Sequence, residues 1–225
     1  MKQKNKVITI LTLIIICVIF MAIVDGIIRP TYGIKSLIKI VLFLGSPIIY
    51  SFIDRDFSIK QLLTPNKKGF LASFCLGLAV YAVILGSYFL FRGVFDFSGI
   101  TESLTENIGV TGNNFVFVAI YISFANSLLE EFFFRGFAFL TLKNLVGRKR
   151  AYVFSSVVFA MYHIWMMVGW FSIMVFLLAM IGLVAGAMIF NYLNEKNNNI
   201  YSSWMVHMFA NFAINTIGFI LFGII

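Results

Sequence analysis

The side chains of this chain able to do acid–base chemistry in apolar surroundings are few. Glu130, Glu131 and Arg135 fall in SLLEEFFFRG (127–136), after fifteen uncharged residues running back to Phe115. The two histidines, His163 and His207, lie in FAMYH (159–163) and HMFAN (207–211). A buried glutamate can take a proton from water, and a histidine can share or relay it. A second histidine and an asparagine amide can donate hydrogen bonds to an oxyanion. Glu130, His163, His207 and Asn211 supply these four parts of a hydrolytic site. The competing chemistry binds zinc through Glu130, His163 and His207, with water as the fourth ligand.

Helical spacing refines the set. Glu131 and Arg135 are i,i+4 and can pair on one face. Glu130 then lies about 100° round the helix and faces elsewhere. His207 and Asn211 are also i,i+4, and Phe159 stands one turn before His163, where it can wall the same face.

The elements that must position these groups are membrane helices. Of 225 residues, 61% are hydrophobic and 12% charged, and the mean hydropathy is +0.97. Average globular domains hold about 25% charge. Residues 7–24 contain 18 residues without a charge, the length of a spanning helix. The apolar pattern predicts helices near 7–28, 35–53, 69–92, 114–145, 150–167, 170–193 and 200–224. This is an all-α, polytopic transmembrane helix bundle of seven spans, or eight if the sixth run breaks at its glycines. The reading gives a single membrane-embedded domain over 1–225, with a motif-bearing core at about 115–213. No strand-like alternation, repeat or soluble domain is evident. Pro30, Pro47 and Pro65 are the only prolines.

Smaller features carry bland expectations. The first run follows Lys2, Lys4 and Lys6 but is longer than a signal peptide's apolar stretch and lacks a small-residue cleavage site, so it reads as a retained span. Cys17 and Cys75 each stand alone in a span and read as packing residues. Gly182 and Gly186 form a small-xxx-small pattern that favours close helix packing. The stretch NEKNNN (194–199) reads as a solvated turn, and Trp165, Trp170 and Trp204 as interface anchors.

The net charge of +8 does not point to nucleic acid, because the basic residues cluster in short loops. Lys2, Lys4, Lys6, Arg55, Lys60, Lys67, Lys68, Lys143, Arg148, Lys149, Arg150 and Lys196 fall on one side. Arg29, Lys35, Lys39 and Arg92 fall on the other. Twelve against four predicts a cytoplasmic N-terminus. Glu130, Glu131, Arg135, His163 and His207 are then the ionisable residues left in spans. Each charge there costs about 2.5–3.5 kcal/mol on insertion scales, so such groups pair and carry function. Glu130 and His163 each lie thirteen residues from a cytosolic basic residue, about 20 Å, and His207 about 10 Å from the same side. Three helices thus bring a carboxylate and two imidazoles into one layer of the cytosolic half.

Other membrane protease designs do not fit. H-E-x-x-H and G-x-S-x-G are absent, and the topology leaves no aspartate in a span for an aspartyl dyad. A proton-coupled transporter is disfavoured by the lack of a repeat.

EEFFFR (130–135), FAMYH (159–163) and HMFAN (207–211) resemble, in order, the EExxxR, FxxxH and HxxxN motifs of the CPBP family of intramembrane endopeptidases. This family, also called Abi, is named for CAAX proteases and bacteriocin processing and includes the type II CAAX prenyl endopeptidase. The resemblance covers about 115–213. It implies that Glu130 and His163 activate water, that His207 and Asn211 stabilise the oxyanion, and that Glu131 and Arg135 are a supporting pair. It leaves metal use open. The composition resembles that of an AT-rich bacterium, which favours a bacterial plasma membrane and a hydrophobic or membrane-delivered peptide substrate over a prenylated protein. A non-catalytic bacteriocin-immunity or scaffold protein is the alternative from a different class. Oligomeric state has no signal in the sequence.

Overall fold

Long apolar runs have one stable solution in a bilayer, which is to satisfy their backbone internally as helices. The computed structural model describes residues 2–64, 67 and 69–225, and in these it is helical without a strand. Pro65 and Lys68, used in the sequence reading, lie outside the described residues. Helix α1 spans Gln3–Ile28, with its last five residues, Val24–Ile28, wound as a π-helix. Next come α2 (Tyr32–Ile53), the single turn α3 (Ile59–Leu62), α4 (Phe70–Phe91) and α5 (Ser98–Ile108). Helix α6 covers Phe115–Val146. It is followed by α7 (Arg148–Met167), α8 (Ile173–Asn197) and α9 (Tyr201–Leu221).

Among the described residues, α1, α2, α4, α6, α8 and α9 are long and apolar enough to cross a membrane. Helix α7 occupies the expected fifth run, and its first turn carries Arg148, Lys149 and Arg150. Helix α8 runs unbroken through Gly182 and Gly186, so the break that would give an eighth span does not occur. The outer faces of α1, α4 and α8 expose Ile16, Ile19, Leu71, Leu90, Ile173 and Ile181. That apolar surface suits acyl chains and would be costly in water.

Helix α6 lies at the centre, touching α2, α7, α8 and α9, while α4 lies along α9. Its Phe-rich stretch is core rather than lipid-facing, since Phe132, Phe133 and Phe134 are buried. Phe133 stacks on Phe43 of α2 at 4.1 Å between centroids, and Phe134 meets Phe159 of α7 edge-on at 5.3 Å. These rings lock α6 to the helices that hold the remaining site residues.

Close packing falls at glycines other than the expected pair. A Cβ at Gly182 or Gly186 would meet nothing within 4 Å. A Cβ at Gly77 would overlap the Phe209 ring, and one at Gly218 the Phe115 ring. Small residues are needed where a neighbour's ring fills the space, and the i,i+4 pattern alone does not supply that neighbour. Gly77→Val and Gly218→Val should each lower stability by about 1–3 kcal/mol through overpacking. Gly182→Ala should change it by less than about 0.5 kcal/mol. Thermal unfolding in detergent measures both.

Two loops are more structured than expected. The acidic stretch after α4 contains α5, which ends at Gly109 with a left-handed φ of 68°. NEKNNN is not a solvated turn, for Asn194, Asn197 and Asn199 are buried. Asn199 Oδ1 accepts from the backbone N–H of Tyr201 at 2.9 Å and of Ser202 at 3.0 Å. It thereby satisfies donors that the start of α9 leaves open. Trp204 is only half-buried, but its indole N–H donates to Ser127 Oγ at 3.0 Å, tying α9 to α6.

Candidate active site

Helix α6 is not a regular α-helix where it carries the glutamates. Residues Ile122–Asn126 and Glu131–Leu140 are π-helical, flanking Ser127–Glu130. A π-turn widens the helix, and such turns recur at functional sites. Two carbonyls of this stretch accept from α9 as well as from their own backbone. Asn211 Nδ2 donates to Ile122 O at 3.1 Å, and Asn215 Nδ2 donates to Ala119 O at 3.1 Å. Helix α9 is thus hydrogen-bonded along α6 beside the glutamates.

Glu130, His163 and His207 come together. Glu130 Oε2 lies 3.9 Å from His163 Nε2 and 3.8 Å from His207 Nε2. All three side chains are buried. Each imidazole is held from behind. His163 Nδ1 is 2.8 Å from Phe159 O; a carbonyl only accepts, so Nδ1 carries the proton and Nε2 is turned to Glu130. His207 Nδ1 is 3.0 Å from Glu131 Oε1, which fixes its ring in the same sense. Phe190 stacks on His207 at 5.3 Å.

Glu131 and Arg135 pair as expected, at 3.5 Å between Oε2 and Nε, both wholly buried. The same carboxylate also receives the Ser203 hydroxyl and the His207 Nδ1–H. The Arg135 guanidinium lies 4.0 Å from the Phe159 ring centroid and 5.0 Å from that of Phe190. Phe159 therefore does more than wall the pocket. It stacks on Arg135 and anchors His163 through its carbonyl. Asn211 sits on the same helix as His207 with its amide committed once, to Ile122 O, leaving the second amide hydrogen uncommitted.

The sequence reading misplaced three charged residues. The charge count assigns Lys35 and Lys39, at the start of the second expected helix, to the external side, and both are buried side chains of α2. Asp25, at the end of the first expected helix but left out of its span charges, has its side chain buried in the π-turn that ends α1, 2.6 Å from Lys35. The aspartate in a span is therefore half of an ion pair, not of an aspartyl dyad. Lys39 joins the site itself, with Nζ 2.9 Å from Glu130 Oε1 and 2.6 Å from Asn126 Oδ1. Asn126 was also missed, and its Nδ2 donates to Glu130 Oε1 at 3.0 Å.

These contacts bear on zinc. Among the described residues no group of three His, Cys, Asp or Glu side chains is arranged to hold a metal ion. The Lys39 ammonium already occupies one oxygen of Glu130, where a second cation would be repelled. Glu130 Oε2 and the two Nε2 atoms are the donors left for a metal.

Fold and site define a class: a multi-pass helical membrane protein with a carboxylate and two imidazoles gathered inside its bundle. Residues 112–213, which carry all three motifs, match the family model described as type II CAAX prenyl endopeptidase Rce1-like. Through this segment the chain is similar to that family of CAAX membrane proteases. No curated protein and no solved structure matches it.

Proposed function

We propose that the protein is an intramembrane endopeptidase that hydrolyses a peptide bond of a membrane-associated or hydrophobic peptide. The observation that carries this reading is the meeting of Glu130 Oε2 with the Nε2 atoms of His163 and His207, at 3.9 and 3.8 Å, from three helices. These gaps are too long for direct hydrogen bonds and suit a water held between the groups.

In this mechanism Glu130 accepts a proton from that water, with His163 Nε2 sharing it. The water oxygen bonds to the substrate carbonyl carbon, whose oxygen gains the negative charge. His207 and the uncommitted Asn211 hydrogen stabilise that oxyanion. Since His207 Nδ1–H is already given to Glu131, donation from Nε2 requires the ring to carry both protons, an imidazolium between two carboxylates. Collapse breaks the C–N bond, and the proton taken from water passes to the leaving amine. Glu131, Arg135 and Phe159 support the site by fixing His207 and His163. No step uses a metal.

The topology belongs to the same proposal. The chain makes one membrane-embedded domain of seven spans, α7 included, with its N-terminus cytoplasmic. With Lys35 and Lys39 inside α2, the external side keeps Arg29 and Arg92 alone of the basic residues assigned to it. That strengthens the charge asymmetry. The site then lies beneath the cytosolic surface of a bacterial plasma membrane, and hydrophobic peptides delivered by the bilayer are the substrate class.

The test is cleavage of a panel of hydrophobic membrane peptides by detergent-purified protein, with His163→Ala as the comparison. His163→Ala should lose about 10²- to 10⁴-fold in kcat with thermal unfolding near wild type, and chelator should leave wild-type cleavage unchanged. Equal cleavage by His163→Ala would remove the proposed water-activating pair. Loss in chelator with recovery on added zinc would restore the metal mechanism.

A further inference from the structure

On the reading that Glu130 is the base of a peptidase, we propose that Lys39 is a positioning residue that fixes the Glu130 carboxylate with Oε2 alone turned to the reacting water. The geometry is a closed triangle. The Lys39 ammonium donates to Glu130 Oε1 at 2.9 Å and to Asn126 Oδ1 at 2.6 Å. The Asn126 amide donates to the same Oε1 at 3.0 Å. Every bond has a consistent donor and acceptor, and the amide orientation follows from it. Oε1 receives two hydrogen bonds, which uses both its lone pairs. The remaining oxygen, Oε2, is the one that faces the two Nε2 atoms.

Lys39 is itself immobilised from two neighbouring helices, α6 and α7. Its side chain is 6% exposed. Its Nζ lies 5.0 Å from the centroid of the Tyr162 ring, a ring that packs against His163 at 4.8 Å. A carboxylate in an apolar interior keeps its charge only beside a counter-charge. Lys39 supplies this without approaching the oxygen that reacts. A second lysine one turn earlier does not compete for Glu130, because Lys35 has its own carboxylate, Asp25, at 2.6 Å. The two pairs on one helix provide an internal comparison: both are buried Lys–carboxylate pairs, and one of them touches the site.

A purely structural role for Lys39 would show in folding and leave turnover alone. The experiment measures kcat and KM on a hydrophobic membrane peptide that wild type cleaves, together with thermal unfolding in detergent. The variants are Lys39→Met, Lys39→Arg, Asn126→Leu and the double control Asp25→Asn with Lys35→Met. Lys39→Met should lower kcat by about 100-fold or more with KM within about 3-fold, as for a mispositioned catalytic group. Lys39→Arg, which keeps the charge, should recover part of that loss. Asn126→Leu, which keeps the Lys39–Glu130 pair, should lower kcat about 10-fold while folding normally. The double control should move the unfolding temperature but leave kcat within about 3-fold. Folded Lys39→Met with wild-type kcat overturns the proposal. If Lys39→Met does not fold, wild-type kcat in Asn126→Leu overturns it instead. Wild type that cleaves no peptide defeats the peptidase reading, a failure distinct from both.

Discussion

Glu130→Gln will lose about 10³-fold in kcat/KM on any membrane peptide the wild type cuts, within the range for removal of a general base. The substitution is nearly isosteric. Its amide oxygen can still accept from Lys39 and from Asn126, which bond Oε1 at 2.9 and 3.0 Å. What it removes is the basic oxygen that lies 3.8–3.9 Å from the two histidines. The helices around it are held by the Phe43, Phe133 and Phe134 rings, which do not depend on Glu130. The Lys39 ammonium loses its counter-charge, which lowers stability; loss of turnover in the protein that circular dichroism and gel filtration in detergent show to be folded is the expected result.

Arg135→Met acts on folding first. The guanidinium and the Glu131 carboxylate are both wholly buried, so removing one charge strands the other. Such a break costs about 3–5 kcal/mol, a large fraction of a typical total stability. The lost contacts include the faces of Phe159 and Phe190, at 4.0 and 5.0 Å. Arg135→Lys will recover only part of this, because an ammonium keeps the charge and loses the planar stack between rings. Glu131 also holds His207 Nδ1, so the molecules that do fold will turn over slowly. Yield and thermal unfolding of Arg135→Met, Arg135→Lys and wild type in one detergent measure the effect.

Much of the fold was legible because hydropathy reports membrane helices directly. The expected fourth helix, 114–145, is Phe115–Val146, and the expected seventh, 200–224, is Tyr201–Leu221. The convergence of Glu130, His163 and His207 was legible from depth alone, since charges in apolar runs have few reasons to exist. Lys39 was not. It lies near the start of its apolar run, and α2 begins at Tyr32, three residues earlier than expected. Those residues put Lys39, which the charge count assigns to the external side, two turns inside a helix with its side chain buried. Its partners Asn126 and Glu130 lie 87 and 91 residues away, so no local pattern announces the triangle. Asp25 escaped for the same reason, its partner Lys35 lying across the connection to α2. The π-turns of α6 left no mark in hydrophobic periodicity, although the carbonyl that receives Asn211 lies in one of them. NEKNNN looked solvated because composition reports polarity and not whether a turn is enclosed by its neighbours.

The most direct measurement is hydrolysis in water enriched in ¹⁸O, read by mass spectrometry of the fragments, with Glu130→Gln as the paired sample. A peptidase of this kind places one ¹⁸O in the new carboxyl group of the N-terminal fragment, and Glu130→Gln forms that labelled fragment about 10³-fold more slowly than wild type. Equal rates of labelling in the two proteins would show that Glu130 is not what activates the water.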